Sequence, residues 1–184
     1  TAPAALAVDR TAARTVFDAI DDVVPGVSVT RRGVMGYGIA TNGTGGVTIR
    51  GIGGQPNTAV LVVVDGRPEM QSLMGHPLPD AYSLSDAQAV SVTLGPASVL
   101  YGSNAMGGVI DIQTRQPRAG LSGRLSGSIG SFLTGQQRLA IGGANDRAFF
   151  SATAGLDHTR GDRPRSAYRG ATATLSAGTS LSTS

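Results

Sequence analysis

The stretch that decides the fold of this chain is LGPASVLYGSNAMGGVIDIQT, residues 94–114. Pro96 can occupy the first position of a short helix, where its missing N–H group removes no hydrogen bond. Residues 99–101 give that helical turn an apolar side, and Gly102 can end it in a left-handed conformation. The glycine pair at 107–108 lets two backbones approach closely before the chain leaves as an alternating strand. The stretch therefore predicts a helical turn, a close glycine contact and a strand in direct succession.

The composition favours turns and short strands over long helices. The 184 residues include 27 glycines, with only 4% aromatic and 15% charged residues, which is few for a chain of charge-rich helices. The formal net charge is +3 and the arginines are scattered, so nucleic acid is not expected as a partner. The sequence contains no cysteine, which excludes disulfides and thiolate metal sites.

The sequence contains no segment typical of membrane helices or secretion signals. No apolar stretch approaches the roughly 18–20 residues of a membrane-crossing helix, so none is predicted. The chain begins at Thr1 without a signal peptide or an initiating Met. We therefore expect a mature or excised piece of a protein.

Residues 1–117 are predicted to form a compact α+β unit. An amphipathic helix is predicted over residues 11–24, ended by the Pro-Gly pair that follows. Residues 31–46 are predicted as a glycine-rich loop, residues 69–80 as irregular chain and residues 85–88 as a helical turn. Short strands are predicted at residues 3–8, 27–30, 47–50, 60–64 and 90–92. The apolar run at 60–64 indicates a strand buried on both faces.

The pattern changes after Pro117. Four weakly alternating segments of about ten residues are separated by turns rich in Gly, Asn, Asp and Pro, which is typical of transmembrane β-barrel strands. These segments are residues 121–130, 137–144, 147–157 and 168–178. A soluble β-meander would have much the same pattern. An apolar band on the outward faces of residues 121–178 would favour the barrel, and a polar outer face the meander.

Several separated motifs occur in one order along the chain. The opening run reads GPxSxLYGxxAxGGVIxIxT, and it is preceded by VPGV at 24–27, VTIRG at 47–51, VLVVVDGRP at 60–68 and GHPLPDAYSLSD at 75–86. This order resembles the plug domain of TonB-dependent outer-membrane receptors over nearly all of residues 3–117. The resemblance implies residues 1–117 as the plug domain and residues 118–184 as the first, truncated strands of the β-barrel.

The resemblance also implies an architecture and a transport function. The family has a 22-stranded barrel whose lumen is filled by the plug. The 67 residues after Pro117 supply at most four to five strands of about ten residues, so we expect either a fragment or open strand edges that a partner covers. The implied location is the outer membrane of a Gram-negative bacterium, in contact with its lipid. The implied function is uptake of a scarce nutrient, most naturally a ferric siderophore, haem or cobalamin.

Uptake in this family is energised by the partner protein TonB. Receptors of the family carry a short TonB-binding segment ahead of the plug, and nothing before Thr11 resembles that segment convincingly. If the segment is absent, this chain alone is not expected to carry out energised transport.

The resemblance assigns an anchoring role to Arg50. It matches the arginine that pairs with carboxylates of the barrel wall and holds the plug in place, since a buried arginine needs such a partner. The alternative is a solvated arginine at a strand end. Ser91 and Leu94 stand where the family commonly has a glutamate and an arginine, and Gln88 and Ala89 also replace usual charges. We therefore expect a thinner ion-pair network between plug and barrel.

Three loops resemble the parts of the plug that touch ligand: residues 31–38, 53–57 and 69–76. Arginines there could meet an anionic ferric chelate, amides could hydrogen-bond to it, and Tyr and Met could supply apolar contact. The candidate ligand-binding residues are Arg31, Arg32, Tyr37, Gly54, Gln55, Asn57, Met70, Gln71, Met74 and His76. The alternative is ordinary loop surface.

Other chemistry finds little support in the sequence. The glycines at 51–54 open no helix and lack a P-loop lysine, and no nucleophile elbow surrounds Ser98. We expect no enzyme activity, no cofactor and no metal site. The alternative function, from another class, is a freestanding periplasmic binding or interaction module with a soluble β-meander.

Overall fold

The chain divides into two compact units. One is formed by residues 1–32 and 37–115, the other by residues 33–36 and 116–184. The structure, a computed structural model, describes residues 4–6 (backbone only), 13–31, 33–37, 45–54, 57–69 and 77–179. None of the helices in these described ranges has the length and apolar character that a membrane crossing needs.

The described residues of the first unit form two small sheets and two α-helices. Its elements are β1 (Ala4–Leu6), α1 (Val16–Val23), β2 (Val27–Val29), β3 (Val47–Ile49), β4 (Ile52–Gly54), β5 (Val60–Val64), β6 (Arg67–Pro68), β7 (Ala87–Leu94), α2 (Ser98–Tyr101) and β8 (Gly108–Thr114). One sheet has the order β1-β7-β8-β5-β6 and the other β2-β3-β4. The β5–β8 pair is parallel and the other pairs are antiparallel, so the larger sheet is mixed.

Helix α1 begins later than predicted. Its first residue is Val16 because Thr15 caps it: the Thr15 hydroxyl accepts a hydrogen bond from the Asp18 N–H at 3.0 Å, and the Asp18 carboxylate accepts one from the Thr15 N–H at 3.0 Å. This reciprocal capping box satisfies two N–H groups that the helix cannot pair internally. The predicted residues 11 and 12 lie outside the described part of the chain.

The core forms on both sides of β5, as the continuous apolar run predicted. Val60 and Val62 join a cluster with Phe17 of α1. Leu61 and Val63 point to the opposite face and join a second, smaller cluster. Burial of an aliphatic side chain of this size stabilises the fold by about 1.5–3 kcal/mol. Strand β5 therefore contributes to the stability of both core clusters.

The predicted helical turn in the opening run forms, but Pro96 does not occupy its first position. Ala97 is the N-cap of α2, because its N–H donates to the Ala105 carbonyl at 2.9 Å and holds its backbone outside the helical conformation. Gly102 ends the helix with a positive φ of 91°, but its ψ of −168° lies outside the left-handed helical region that was predicted. The apolar residues 99–101 are exposed.

Two neighbouring elements also differ in their bounds from the prediction. The turn predicted at residues 85–88 is a 3₁₀ turn at Leu84–Asp86, and the strand predicted at 90–92 extends over all of β7. The strand is longer because β8 pairs with it from Ala87 to Leu94, whereas β1 pairs only with residues 90–92. Long-range pairing, rather than local pattern, therefore sets its length.

The glycine pair of the opening run is a point of close backbone contact, as predicted. A Cβ atom on Gly107 would lie 3.0 Å from the Ile52 carbonyl oxygen. A Cβ on Gly108, where φ is +155°, would overlap the carbonyl oxygen of Thr93. Only glycine fits these positions without moving the neighbouring backbone.

The second unit is a four-stranded antiparallel meander in the order β12-β11-β10-β9. The strands are β9 (Gly120–Gly130), β10 (Thr134–Ala144), β11 (Ala148–Thr159) and β12 (Tyr168–Thr179). They coincide with the four predicted segments and extend them by one to three residues at some ends.

We predict that Gly108→Ala lowers the free energy of unfolding of the first unit by about 2 kcal/mol or more, because the new methyl group overlaps the Thr93 carbonyl and φ is positive. Urea unfolding followed by circular dichroism measures this. Gly95→Ala in the same unit is the matched control, since φ there is also positive, at 111°, but a Cβ would meet nothing within 4 Å. Equal stability of the two variants would contradict the close-contact role.

Candidate functional site

Carboxylates of α1 surround the first candidate ligand residue, Arg31. Its guanidinium lies 2.9 Å from the Asp21 carboxylate and 3.2 Å from that of Asp22, and donates to the Asp18 main-chain carbonyl at 3.1 Å. Burial alone lowers the pKa of Arg31, but the phenol of Tyr37 and the three carboxylates outweigh it and raise the pKa above its ordinary value. Arg31 is therefore bound to α1 by ion pairs and a hydrogen bond. A cation near the C-terminal end of a helix also interacts favourably with the negative end of the helix dipole.

Tyr37 lies in the core, at 5% exposure. Its hydroxyl donates to Asp18 at 2.7 Å and its backbone N–H donates to Asp80 at 2.9 Å. Asp80 is also ion-paired with the buried Arg14. Burial, followed by the negative charge of Asp18, raises the pKa of the Tyr37 phenol. The sequence analysis missed Asp18, Asp80 and Arg14, although the Thr-x-x-Asp spacing at 15–18 signals the helix cap.

Asn57 is buried, at 3% exposure, and neither atom of its side-chain amide has a hydrogen-bond partner among the described residues. A buried polar group left unpaired costs about 1–3 kcal/mol, so this amide retains its full capacity to bind another group. Gly54 ends β4 with a φ of +121° and is half-buried. The other candidates lie outside the described residues: Arg32, Gln55, Met70, Gln71, Met74 and His76.

Arg50, the predicted anchoring residue, lies at the tip of the β3–β4 hairpin. Arg50 and Gly51 both have positive φ, 51° and 81°, which is the geometry of a tight two-residue hairpin turn. The Arg50 N–H donates to the Gly26 carbonyl at 2.7 Å. Arg50 is exposed, and its guanidinium forms no ion pair with any of the described residues. A left-handed backbone at a non-glycine residue costs about 1–2 kcal/mol.

The strands of the second unit have one apolar face. Successive side chains of a strand point to opposite faces, and the register of β10, β11 and β12 aligns their apolar positions side by side. This apolar face consists of Leu121, Leu125 and Ile129 of β9, Leu139 and Ile141 of β10, Phe150, Ala152, Ala154 and Leu156 of β11, and Ala171, Ala173, Leu175 and Ala177 of β12. It is open: Ile129 is 94% and Leu175 78% exposed. Gln137 is a polar residue in its middle, and His158, Arg169 and Thr179 lie at its ends.

The opposite face of the same strands is polar. It includes an ion pair between Arg138 and Asp157, with 2.7 Å between the guanidinium and the carboxylate and side-chain exposures of 13% and 2%. The other polar members are Ser122, Arg124, Ser126, Ser128, Gln136, Ser151, Thr153, Thr172, Thr174 and Ser176. An apolar face opposite a polar face, repeated over four strands, is typical of a membrane barrel, and it does not fit a meander with a polar outer face.

Residues 4–109 match the family described as the TonB-dependent Receptor Plug Domain. The chain belongs to this family. It is 30% identical over 120 residues to the pesticin receptor of Yersinia pestis, covering 64% of this chain and 16% of that receptor. It is 35% identical over 120 residues to the iron-regulated outer membrane virulence protein of Vibrio cholerae, covering 61% and 16%. The chain thus spans about a sixth of the length of these curated relatives.

Solved structures share the fold of both units. The ferric yersiniabactin uptake receptor of Yersinia pestis superposes with a TM-score of 0.69 at 24% identity, over 95% of this chain and 27% of that one. The pyoverdine outer membrane receptor of Pseudomonas aeruginosa PAO1 gives a TM-score of 0.65 at 16% identity, over 86% and 22%. At these identities the likeness concerns the fold.

Family membership confirms several predictions. The fold is an α+β plug domain followed by antiparallel strands of a barrel that this chain does not close. The location is the outer membrane of a Gram-negative bacterium. The family is one of transport receptors. The individual ligand-binding and anchoring residues stay predictions.

We predict that Tyr37→Phe lowers the free energy of unfolding by about 1.5 kcal/mol, because the charged Asp18 carboxylate loses the partly buried hydrogen bond that it accepts from the Tyr37 hydroxyl. Chemical denaturation measures the difference. Tyr101→Phe is the control, since Tyr101 is 46% exposed and should leave stability unchanged. A Tyr37→Phe variant as stable as this control would show that the bond to Asp18 contributes nothing.

Proposed function

We propose that residues 1–117 form the gate, and residues 118–184 the first wall strands, of an outer-membrane receptor that imports a ferric siderophore with energy supplied through TonB. The observation that carries this proposal is the succession of a plug fold and four strands with one apolar and one polar face. A chain that combines a plug domain with lipid-facing barrel strands is suited to transport across a membrane. This combination does not suit a freestanding periplasmic module, whose exposed strands would carry no apolar face.

A ferric siderophore is favoured over haem or cobalamin by the relatives. The solved relatives are described as receptors for ferric yersiniabactin, ferric enterobactin and pyoverdine, and a curated relative is iron-regulated. Siderophores of these classes carry oxygen donors and negative charge. The chain would meet such a ligand through loops 31–38, 53–57 and 69–76, where the candidate residues occur.

Within these loops the candidates differ in availability. Arg31 is held among three carboxylates, so an anionic chelate must compete with them for the guanidinium. Asn57 has an unused amide and could exchange hydrogen bonds with a polar ligand or with the neighbouring loops. Asn57 is only 3% exposed, however, so a ligand reaches its amide only after the neighbouring chain moves.

Arg50 is proposed as the main charged anchor of the plug. The family commonly has a glutamate and an arginine where this chain has Ser91 and Leu94. Here Leu94 packs against the larger core cluster and Ser91 pairs with Asp111 in the β7–β8 ladder. Neither residue supplies a charge for an ion pair with the barrel. Arg50 is exposed at a hairpin tip whose backbone is strained. Such strain is retained where the surroundings require that position.

Uptake by the full-length receptor tests the transport function. The receptor containing this chain is expressed in bacteria that lack their own siderophore receptors, and labelled ferric siderophores, haem and cobalamin are supplied in turn. We expect accumulation of a ferric siderophore, and loss of that accumulation in a strain without TonB. Uptake that does not depend on TonB would overturn the energised mechanism, and recovery of the protein in the periplasmic fraction would overturn the proposal in favour of the periplasmic module.

We predict that Arg50→Ala in the full-length receptor increases hydrogen exchange in β3 and β4, because the plug loses an ion-pair partner in the barrel wall. Arg50→Lys keeps the positive charge and should retain most of the protection. Mass spectrometry of exchanged peptides reports both. Protection that is unchanged in Arg50→Ala would assign Arg50 to the hairpin surface alone.

A further inference from the structure

Four residues of one candidate ligand loop belong to the second unit. Residues 33–36 are the middle of the loop at 31–38, yet they group with residues 116–184. Arg31, which precedes them, is ion-paired with α1, and Tyr37, which follows them, lies in the core of the first unit. The two ends of the loop are thus held by the first unit, whereas its middle takes its support from the second.

The ring of Tyr168, at the start of β12, lies directly against this middle segment. Gly36 has a φ of +83°, and a Cβ atom placed there would overlap the ring carbons Cγ, Cδ2 and Cε2 of Tyr168. The other edge of the ring lies over Gly170, where a Cβ would overlap Cε1, Cζ and Oη. Tyr168 is half-buried. Its ring therefore contacts two glycine backbones, one in the loop and one in its own strand.

The contact is made on the polar face of the sheet. Tyr168 and Gly170 point to the same face, because they are two residues apart in one strand. Gly170 lies directly opposite Asp157 in the register, and Asp157 forms the ion pair of the polar face with Arg138. In the proposed barrel wall this is the face turned away from lipid. Residues 33–36 therefore lie on the side of the strands where a plug belongs.

The loop at 160–167 forms a second, ordered support beside the ring. The Ser166 hydroxyl accepts a hydrogen bond from the Arg163 N–H at 3.0 Å and donates one to the Arg163 carbonyl at 2.8 Å. A Cβ on Gly33 would lie 3.7 Å from the Cβ of Ser166, which is an ordinary contact. The segment thus rests against Ser166 at its first residue and against the Tyr168 ring at its last.

The glycines make this support important for binding. Glycine loses more conformational freedom on ordering than any other residue type, and every backbone residue that is fixed costs free energy. A ligand that met a loose loop would have to supply this free energy from its own binding, whereas a loop that is already held leaves it for affinity. Val34, between Gly33 and Gly36, is 45% exposed, so the held segment still presents a side chain to its surroundings.

We propose that Tyr168 is a positioning residue of the ligand site, whose ring holds residues 33–36 in the conformation that an incoming ferric siderophore meets. This rests on the proposed uptake function, and it adds to the site a residue that lies outside the three ligand loops. Tyr168 acts through the loop and not by touching the ligand.

A pair of cysteines measures how firmly the loop is held. The sequence contains no cysteine, and the 3.7 Å between the Cβ positions of residues 33 and 166 suits a disulfide, in which these atoms are about 3.8 Å apart. The full-length receptor with Gly33→Cys and Ser166→Cys is equilibrated with oxidised and reduced glutathione, and mass spectrometry gives the ratio of disulfide to dithiol. Adding Tyr168→Ala should lower this ratio about tenfold, because a loosened loop lowers the effective concentration of one thiol at the other. An unchanged ratio would overturn the proposal.

Phe149→Ala is the matched control for this measurement. Phe149 is also half-buried, and its ring lies over Gly178 on the same face, toward the other end of the strands. Its loss removes a similar contact away from the loop and should leave the ratio unchanged, while Tyr168→Phe keeps the ring and should retain most of the ratio. A fall of equal size in Phe149→Ala would show that the sheet as a whole had loosened, and would overturn the positioning role. Every variant carries the cysteine pair, so the lost Ser166 hydroxyl affects all of them alike.

Ligand binding separates positioning from a merely structural role. The probes are ferric yersiniabactin and ferric enterobactin, added after the reductant has been removed. With the cysteine pair reduced, Tyr168→Ala should weaken the binding of the probe that the unaltered receptor accepts by about tenfold. Formation of the disulfide between residues 33 and 166 should restore the affinity, because the covalent link then holds the loop in place of the ring.

Affinity that stays low after the disulfide has formed would overturn the positioning role. Binding of neither probe by the unaltered receptor would instead count against the proposed uptake of a ferric siderophore. The ratio of disulfide to dithiol needs no ligand, so it still decides in that case whether Tyr168 holds residues 33–36. Failure of the inference and failure of the proposed function are therefore distinguishable.

Discussion

The first unit depends on the close backbone approach at Gly107 and Gly108. Strand β8 begins there and lies between β7 and β5, antiparallel to one and parallel to the other. A side chain at Gly108 would separate it from Thr93 of β7. Because β5 forms one wall of both core clusters, a shift of β8 would disturb the packing of α1 on one side and of Ala97 and Ala105 on the other.

The second unit satisfies a different constraint. In lipid, every backbone N–H and C=O group must be paired within the sheet, and β10 and β11 pair without interruption over ten residue pairs. Because the backbone groups are paired within the sheet, its two faces differ only in the polarity of their side chains. The Arg138–Asp157 pair is on the polar face, where each charge has its partner; the same pair on the apolar face would leave two charges in hydrocarbon.

Local pattern was sufficient for most elements, and long-range contacts account for the errors. The alternation of residues 121–178 and the apolar run of β5 specify strands without knowledge of their neighbours. The start of β7 depends on pairing with β8, and the displaced role of Pro96 depends on a bond between Ala97 and Ala105. Neither is visible in a window of ten residues. The ion pair between Arg14 and Asp80 joins positions 66 residues apart, so no sequence spacing could indicate it.

Two predicted arginines illustrate why residue type alone does not define a binding role. Arg31 faces three carboxylates, which leave the cluster with two excess negative charges and make it unfavourable for an anionic ligand until the guanidinium moves away. Arg50 has no ion-pair partner among the described residues, and its backbone is strained at an exposed tip. The first arginine therefore stabilises the plug itself, whereas the second leaves its side chain exposed, as the anchoring role proposed for it requires. The difference arises from the acidic face of α1, formed by Asp18, Asp21 and Asp22, which only the folded chain brings together with Arg31.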